Sequence, residues 1–139
     1  EIGLLFAKGL GRYYNKAIEW PIDLVIPVPL HPKKMRQRGF NQTQLMAKEF
    51  TEVTDLTLCL SSLKRVLPTL VQEGLSERDR TLNVRNAFEA DRSRVEGKNI
   101  LLIDDVYTTG ATIDGCAKAL ADAGAANIYF MTVAIGRGY

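Results

Sequence analysis

Cysteine and histidine are nearly missing from this sequence: Cys59 and Cys116 are the two thiols and His31 is the one imidazole. The thiols lie far apart and show no paired ligand spacing, so no direct protein cage for a metal is expected, and both read as small buried residues. Long apolar runs are missing as well. No stretch approaches the roughly 20 residues that cross a bilayer, and no basic leader precedes an apolar segment, so a cytoplasmic protein without membrane insertion is expected. Neither sign of charge dominates: 18 Lys plus Arg face 16 Asp plus Glu, and a net charge of +2 gives no global affinity for polyanions. Neither a GxxxxGKS/T nor a GxGxxG phosphate loop occurs, which excludes the two common nucleotide fingerprints. What remains, 139 residues with 46% apolar and 24% charged, suits one globular domain spanning 1–139. Because the first residue is Glu1 and not Met, a longer parent chain is expected.

Apolar periodicity divides the chain into alternating elements. Leu4, Ala7, Leu10, Tyr14, Ala17 and Ile18 recur at helical spacing, although Gly9 and Gly11 weaken the pattern. After Pro21, the run Asp23 to Pro29 is short and rich in apolar β-branched residues, as in a strand buried on both faces, and its prolines stop pairing at the end. Asn41 is a plausible N-cap for a second helix carrying Leu45, Met46, Phe50 and Val53. Residues 56–60 and 63–67 are weaker strand candidates, and 87–90 is a short one. Between Pro68 and Asn86 the apolar residues follow neither period, and a mobile loop is expected; loops of that length are usually functional. Asn99 to Asp104 is the clearest strand. A loop from Asp105 to Ala111 follows, then a helix with Ile113, Cys116, Ala117, Leu120 and Ala121 on one face, ended by Gly124. Ile128 to Ile135 is the last strand. Strands alternating with helices specify an α/β fold around a mainly parallel sheet.

The segment from 100 to 112 has the chemistry of a sugar-phosphate site. A helix N-terminus presents amides without intrahelical partners and about half a positive charge, so a phosphate placed there meets aligned donors. Gly110 would leave room for its approach, and Thr108, Thr109 and Thr112 add hydroxyl donors beside Ala111. Asp104 and Asp105 fall at the C-terminal edge of the sheet, where open α/β folds bind ligands, and paired carboxylates accept hydrogen bonds from vicinal hydroxyls such as those of ribose. An isolated pair of adjacent acids would more often be a helix cap or a solvated charge cluster; an apolar strand before it and TTGAT after it favour the site.

ILLIDDVYTTGAT, residues 100–112, resembles the phosphoribosyl pyrophosphate (PRPP) signature of the type I phosphoribosyltransferases. The resemblance implies their fold, with a flexible hood loop, and gives Asp104 and Asp105 to the ribose and Thr108, Thr109, Gly110, Ala111 and Thr112 to the 5-phosphate. PVPLHPKKMRQRGFNQ, residues 27–42, and QEGLSERDRTLNVRNAF, residues 72–88, resemble the ComF/ComFC (GntX-like) competence-protein branch. That branch implies a part in DNA uptake during natural transformation, with single-stranded DNA and competence proteins as partners, and an upstream zinc-binding segment. The family also implies Mg²⁺ bound with PRPP, held mostly by substrate oxygens and water. Purine-type relatives carry an Asp where this chain has Thr108, and a hydroxyl is a poor proton-transfer group, so purine salvage is disfavoured; orotate-type members manage without that acid. An active nucleobase or amine transferase is the alternative.

Between Asp23 and Glu49 the chain carries Lys33, Lys34, Arg36, Arg38 and Lys48 and no acid, a window of +5 that leaves −3 to the remainder. Such a window is either a solvated loop or a site. By resemblance the pyrophosphate loop falls here, with backbone amides around Pro29, Leu30 and His31 binding the diphosphate, a strained or cis peptide within it, and Arg36 or Arg38 nearby. The other reading of His31 is an ordinary surface side chain. Lys64 and Arg65 are further diphosphate candidates, across a homodimer interface as in some relatives. Arg78, Arg80 and Arg85 belong to the segment that would be the hood; the other reading is a surface loop. For single-stranded DNA, the window from Lys33 to Lys48 could track phosphates while Phe40, Tyr13 or Tyr14 stack bases, and Tyr107 is the candidate for stacking a nucleobase.

Overall fold

A computed structural model of the chain describes residues 2–30, 36, 41–66, 86–107 and 109–136. In chain order these form α1 (Ile2–Ala17), β1 (Leu24–Pro27), α2 (Gln42–Thr54), β2 (Leu63–Arg65), β3 (Phe88–Ala90), α3 (Arg92–Val95), β4 (Asn99–Tyr107), α4 (Ala111–Asp122) and β5 (Asn127–Ile135). His31, Lys33, Lys34, Arg38, Phe40, Arg78, Arg80, Arg85 and Thr108 lie outside the described residues, as does nearly all of the expected hood.

The central sheet has the order β1-β4-β5, with both pairings parallel. A short segment adds to the free edge of β1, where Val25 N donates to Thr57 O and Cys59 N to Val25 O. Pro27 has the same strand parity as Val25, so its absent N–H faces that outer edge, and the β4 ladder continues through Val28 N to Ile103 O at 2.9 Å. The apolar alternation then fills both faces. Ile26, Val28, Ile100 and Leu102 pack under α4 with Ile113, Cys116 and Leu120, while Val25, Leu101 and Ile103 pack under α1 and α2 with Tyr14, Ala47 and Phe50. β2 and β3 form a separate antiparallel pair whose Leu63 and Phe88 close the α4 side. Among the described residues, no helix is long and apolar enough to cross a membrane.

Local chemistry sets the element ends. Asn41 caps α2 by accepting from Thr43 N at 2.9 Å. Gly11 weakens the helix pattern but lets α1 lie close on α2: a Cβ there would sit 2.9 Å from Val53 Cβ and 3.3 Å from Phe50 O. Gly11→Ala should therefore lower stability by about 1–3 kcal/mol through overpacking, despite the better helix propensity of alanine, as read by thermal denaturation. α4 stops before Gly124, where Ala125 N reaches Leu120 O at 3.0 Å.

Three details depart from the sequence expectation. β4 runs on to Tyr107, so Asp105 sits in the strand and not in a loop, because pairing with β5 persists to Tyr107 opposite Ile135. On α4, Ala121 is exposed; the inward face is Ile113, Cys116 and Leu120, continued by Ala123. Cys116 is fully buried as expected, but Cys59, beside the outer edge of β1, is only partly so.

Candidate active site

The carboxyl ends of β1 and β4 and the first turns of α2 and α4 meet around a cavity of about 210 Å³. It is lined on one side by Val28, Pro29 and Leu30, on another by Asn41, Gln42 and Thr43, and on the third by Asp104, Asp105, Val106 and Thr112, with Arg65 completing the wall. The parallel topology causes this convergence, since all three central strands point the same way and deliver their loops to one edge.

The two acids are held by their own backbone. Asp104 Oδ1 accepts from Asp105 N and Asp105 Oδ1 accepts from Val106 N, each at 2.8 Å. Asp104 is 9% exposed and Asp105 more open, so burial, with the neighbouring Asp105 carboxyl second, pushes the Asp104 carboxyl up to about 7. The folded protein then binds a proton that the unfolded chain has already lost above pH 4. Stability is fully present below the ordinary carboxylate value and falls as pH rises towards 7. Asp104→Asn should remove that slope, worth on the order of 2 kcal/mol between pH 4 and 8, in denaturation curves collected across that range.

Among the described residues, Arg65 is the cation that lines the cavity. Its guanidinium lies 5.5 Å from the centre of the Phe88 ring, and its Nε is buried with no hydrogen-bond partner among the described residues. A buried donor without an acceptor is costly, and an anionic ligand would supply one. Lys64 is exposed on the alternate side of β2, as the pleat requires, so the two bases do not act together. Arg65 reaches the cavity of its own chain. Below it, the buried Cys116 thiol is pushed up by burial first and by Asp104 second, against an opposing effect of Arg65, and is not a nucleophile.

At the start of α4, Gly110 has φ +83 and supplies no side-chain cap. Thr109 Oγ1 instead accepts from Ala111 N at 3.3 Å, and Thr112 faces both the main cavity and a small recess of about 20 Å³ shared with Asp104, Val106, Tyr107, Gly110 and Ile113. The space that a Gly110 side chain would fill is not open to a ligand: it is taken by the Tyr107 hydroxyl.

The other sequence candidates separate clearly. Pro29 and Leu30 line the cavity; Arg36 is exposed. Tyr14 is not free to stack on a base, because it is 7% exposed, packs edge-on against Phe50 and donates to Trp20 O at 2.7 Å; Tyr13 is 58% exposed. Tyr107 does not face the main cavity either, since its ring stacks on Phe130 with centroids 5.7 Å apart. Val106, 42% exposed, is the apolar surface offered there instead. Sequence reasoning passed over Val106 and the α2 turn Asn41–Thr43. The one available signal for the latter was the capping pattern that brings α2 to the end of the β1 loop.

Comparison with known proteins agrees with this geometry. Residues 37–138 match the family described as phosphoribosyl transferase domain. Competence protein F of Haemophilus influenzae is 36% identical over 108 residues, covering 76% of this chain and 47% of that protein. Competence protein ComFC of Bacillus subtilis is 34% identical over 129 residues, covering 91% of this chain and 50% of that protein. The chain thus spans about half the length of these curated relatives. Among solved structures, glutamine PRPP amidotransferase from B. subtilis superposes with a TM-score of 0.62 at 24% identity, over 94% of this chain and 26% of that one. An adenine phosphoribosyltransferase from Saccharomyces cerevisiae gives 0.58 at 13% identity, over 95% of this chain and 66% of that one. These two likenesses establish the fold. With the match to the domain and the relatives together, the chain belongs to the phosphoribosyltransferase family, on its ComF-type branch.

Proposed function

We propose that this domain binds PRPP and Mg²⁺ and serves a competence-related protein in the cytoplasmic handling of incoming single-stranded DNA. The observation that carries PRPP binding is one cavity edged by two carboxylates, a helix N-terminus and a partly buried arginine whose buried Nε lacks a partner among the described residues. In this reading the 5-phosphate lies at the first turn of α4 on the amides and hydroxyls of Thr108 to Thr112. The ribose hydroxyls donate to the free oxygens of Asp104 and Asp105, and the diphosphate extends towards Leu30 and Arg65, with His31, Arg36 and Arg38 as further candidates around it and Lys64, on the other side of β2, a candidate only across a homodimer interface. Arg78, Arg80 and Arg85 belong to the hood. The donor set fits Mg²⁺: Asp104 and Asp105 offer hard oxygens beside the ribose, and the ion, carried largely by PRPP oxygens and water, would offset charge on the departing diphosphate.

Relatives named for competence and for DNA utilisation support the cellular role. Phosphates of single-stranded DNA would follow the basic window from Lys33 to Lys48, with Tyr13 and Phe40 for stacking; other competence proteins are the expected partners, and a homodimer is the proposed assembly.

A second reading, an active nucleobase or amine phosphoribosyltransferase, is favoured by one feature. Val106 places an exposed apolar surface beside Asp105, where an acceptor would meet C1 of the sugar. The acids would then fix the ribose and stabilise positive charge as the C1–O bond to pyrophosphate breaks and the acceptor bond forms. Calorimetric titration with PRPP and Mg²⁺, followed by assays for pyrophosphate release with candidate acceptors and for salt-dependent binding of oligonucleotides, separates the two. PRPP binding and DNA binding without pyrophosphate release supports the first reading; release only with an acceptor supports the second; no heat with PRPP rejects both.

A further inference from the structure

The ring of Tyr107 takes a course that strand parity does not anticipate. Along β4, Leu101 and Ile103 face α1 and α2, whereas Tyr107, also odd in number, packs against the cluster on the α4 side. The last residue of the strand thus turns its side chain back across the sheet, where it stacks on Phe130 of β5 with an interplanar angle of 14°. Its carbonyl is fixed as well, accepting from Gly136 N at 2.8 Å. The far end of the ring lies against the turn into α4: a Cβ on Gly110 would come within 2.7 Å of Tyr107 Oη, 3.2 Å of Cζ and 3.4 Å of Cε2. The hydroxyl and two ring carbons therefore define how low Gly110 can sit, and Tyr107 itself lines the small recess with Gly110 and Thr112.

We propose that Tyr107 is a positioning residue, a wedge between β5 and the Gly110 turn that sets the height and aim of the α4 N-terminus towards the sugar 5-phosphate. The inference rests on the PRPP reading above and adds to it the part that holds the phosphate turn in place. Phe130 is the anvil. It is 44% exposed, so its contribution to the core is small, and its ring stacks on that of Tyr107. The hydroxyl is the tip of the wedge against the Gly110 turn, and the ring behind it, stacked on Phe130, holds that tip in place.

Binding of PRPP with Mg²⁺ by calorimetry, on variants shown folded by thermal denaturation, tests the wedge. Tyr107→Phe keeps the ring but removes the hydroxyl nearest the turn, and should bind about two- to fivefold more weakly than the unmodified protein. Tyr107→Leu should bind at least tenfold more weakly, and Phe130→Ala, at a half-exposed position that leaves the core intact, severalfold more weakly. The losses should appear equally for ribose 5-phosphate as competitor and leave competition by inorganic pyrophosphate unchanged, a distinction that general destabilisation would not produce. Unmodified protein that fails to bind PRPP overturns the PRPP reading and the wedge with it. PRPP binding by the unmodified protein together with full affinity in Tyr107→Leu and Phe130→Ala overturns the wedge alone. Loss in Tyr107→Phe equal to that in Tyr107→Leu also overturns it, since the hydroxyl and not the ring would then be responsible.

Discussion

Gly110→Val is expected to abolish PRPP binding, weakening it more than a hundredfold. Two independent effects act at this residue. Its φ of +83 lies in the left-handed region, where a β-branched side chain costs about 1–3 kcal/mol. The new Cβ would also press into the Tyr107 hydroxyl, which is wedged from behind by Phe130 and cannot retreat freely. The turn must then rise or rotate, and the amides of Ala111 and Thr112 no longer converge on one phosphate. The sheet, whose buried strands lie on the other side of this turn, should persist, so far-UV circular dichroism is expected to change little while calorimetry registers no heat. Gly110→Val binding PRPP at full affinity would show that the turn is not the phosphate seat.

Asp105→Asn should weaken PRPP binding by tenfold to a hundredfold. The substituted side chain still accepts from Val106 N through its oxygen, which preserves the backbone of β4. What disappears is the second carboxylate oxygen and the charge, and charge-assisted hydrogen bonds contribute roughly 1.5–3 kcal/mol each. Asp105 is the more exposed of the two acids, whereas burial pushes the Asp104 carboxyl up to about 7. Titrations at pH 6 and pH 8 check this assignment. Asp104→Asn should weaken binding more at pH 8, where the carboxyl it replaces is ionised, than at pH 6, where that carboxyl is largely protonated.

Alternation of buried strands and amphipathic helices was legible in the sequence because both sheet faces are covered, and NILLID could then be apolar without interruption. Asn41 was legible as a cap because capping is local chemistry. The DD–TTGAT constellation was legible because it combines a strand end, acids and a helix start within one short segment. Features that depend on residues far apart in sequence were not. Gly11 looks like a defect until Val53 and Phe50 are seen against it. Lys64 and Arg65 are chemically similar neighbours, and only the pleat of β2 against β3 turns one to the cavity and the other to solvent. Tyr107 was misassigned for the same reason: strict alternation does not reveal a side chain that folds back over the neighbouring strand. Tyr14 sits on the helix stripe and belongs to the core, as that stripe implies.

A crystal structure with PRPP and Mg²⁺ at saturating concentration tests the central claim most directly. The account predicts the 5-phosphate on the first turn of α4, the ribose hydroxyls within hydrogen-bond distance of Asp104 and Asp105, and the diphosphate within reach of Arg65. Ligand bound away from this edge of the sheet, or a vacant cavity with both carboxylates turned to solvent, would contradict it.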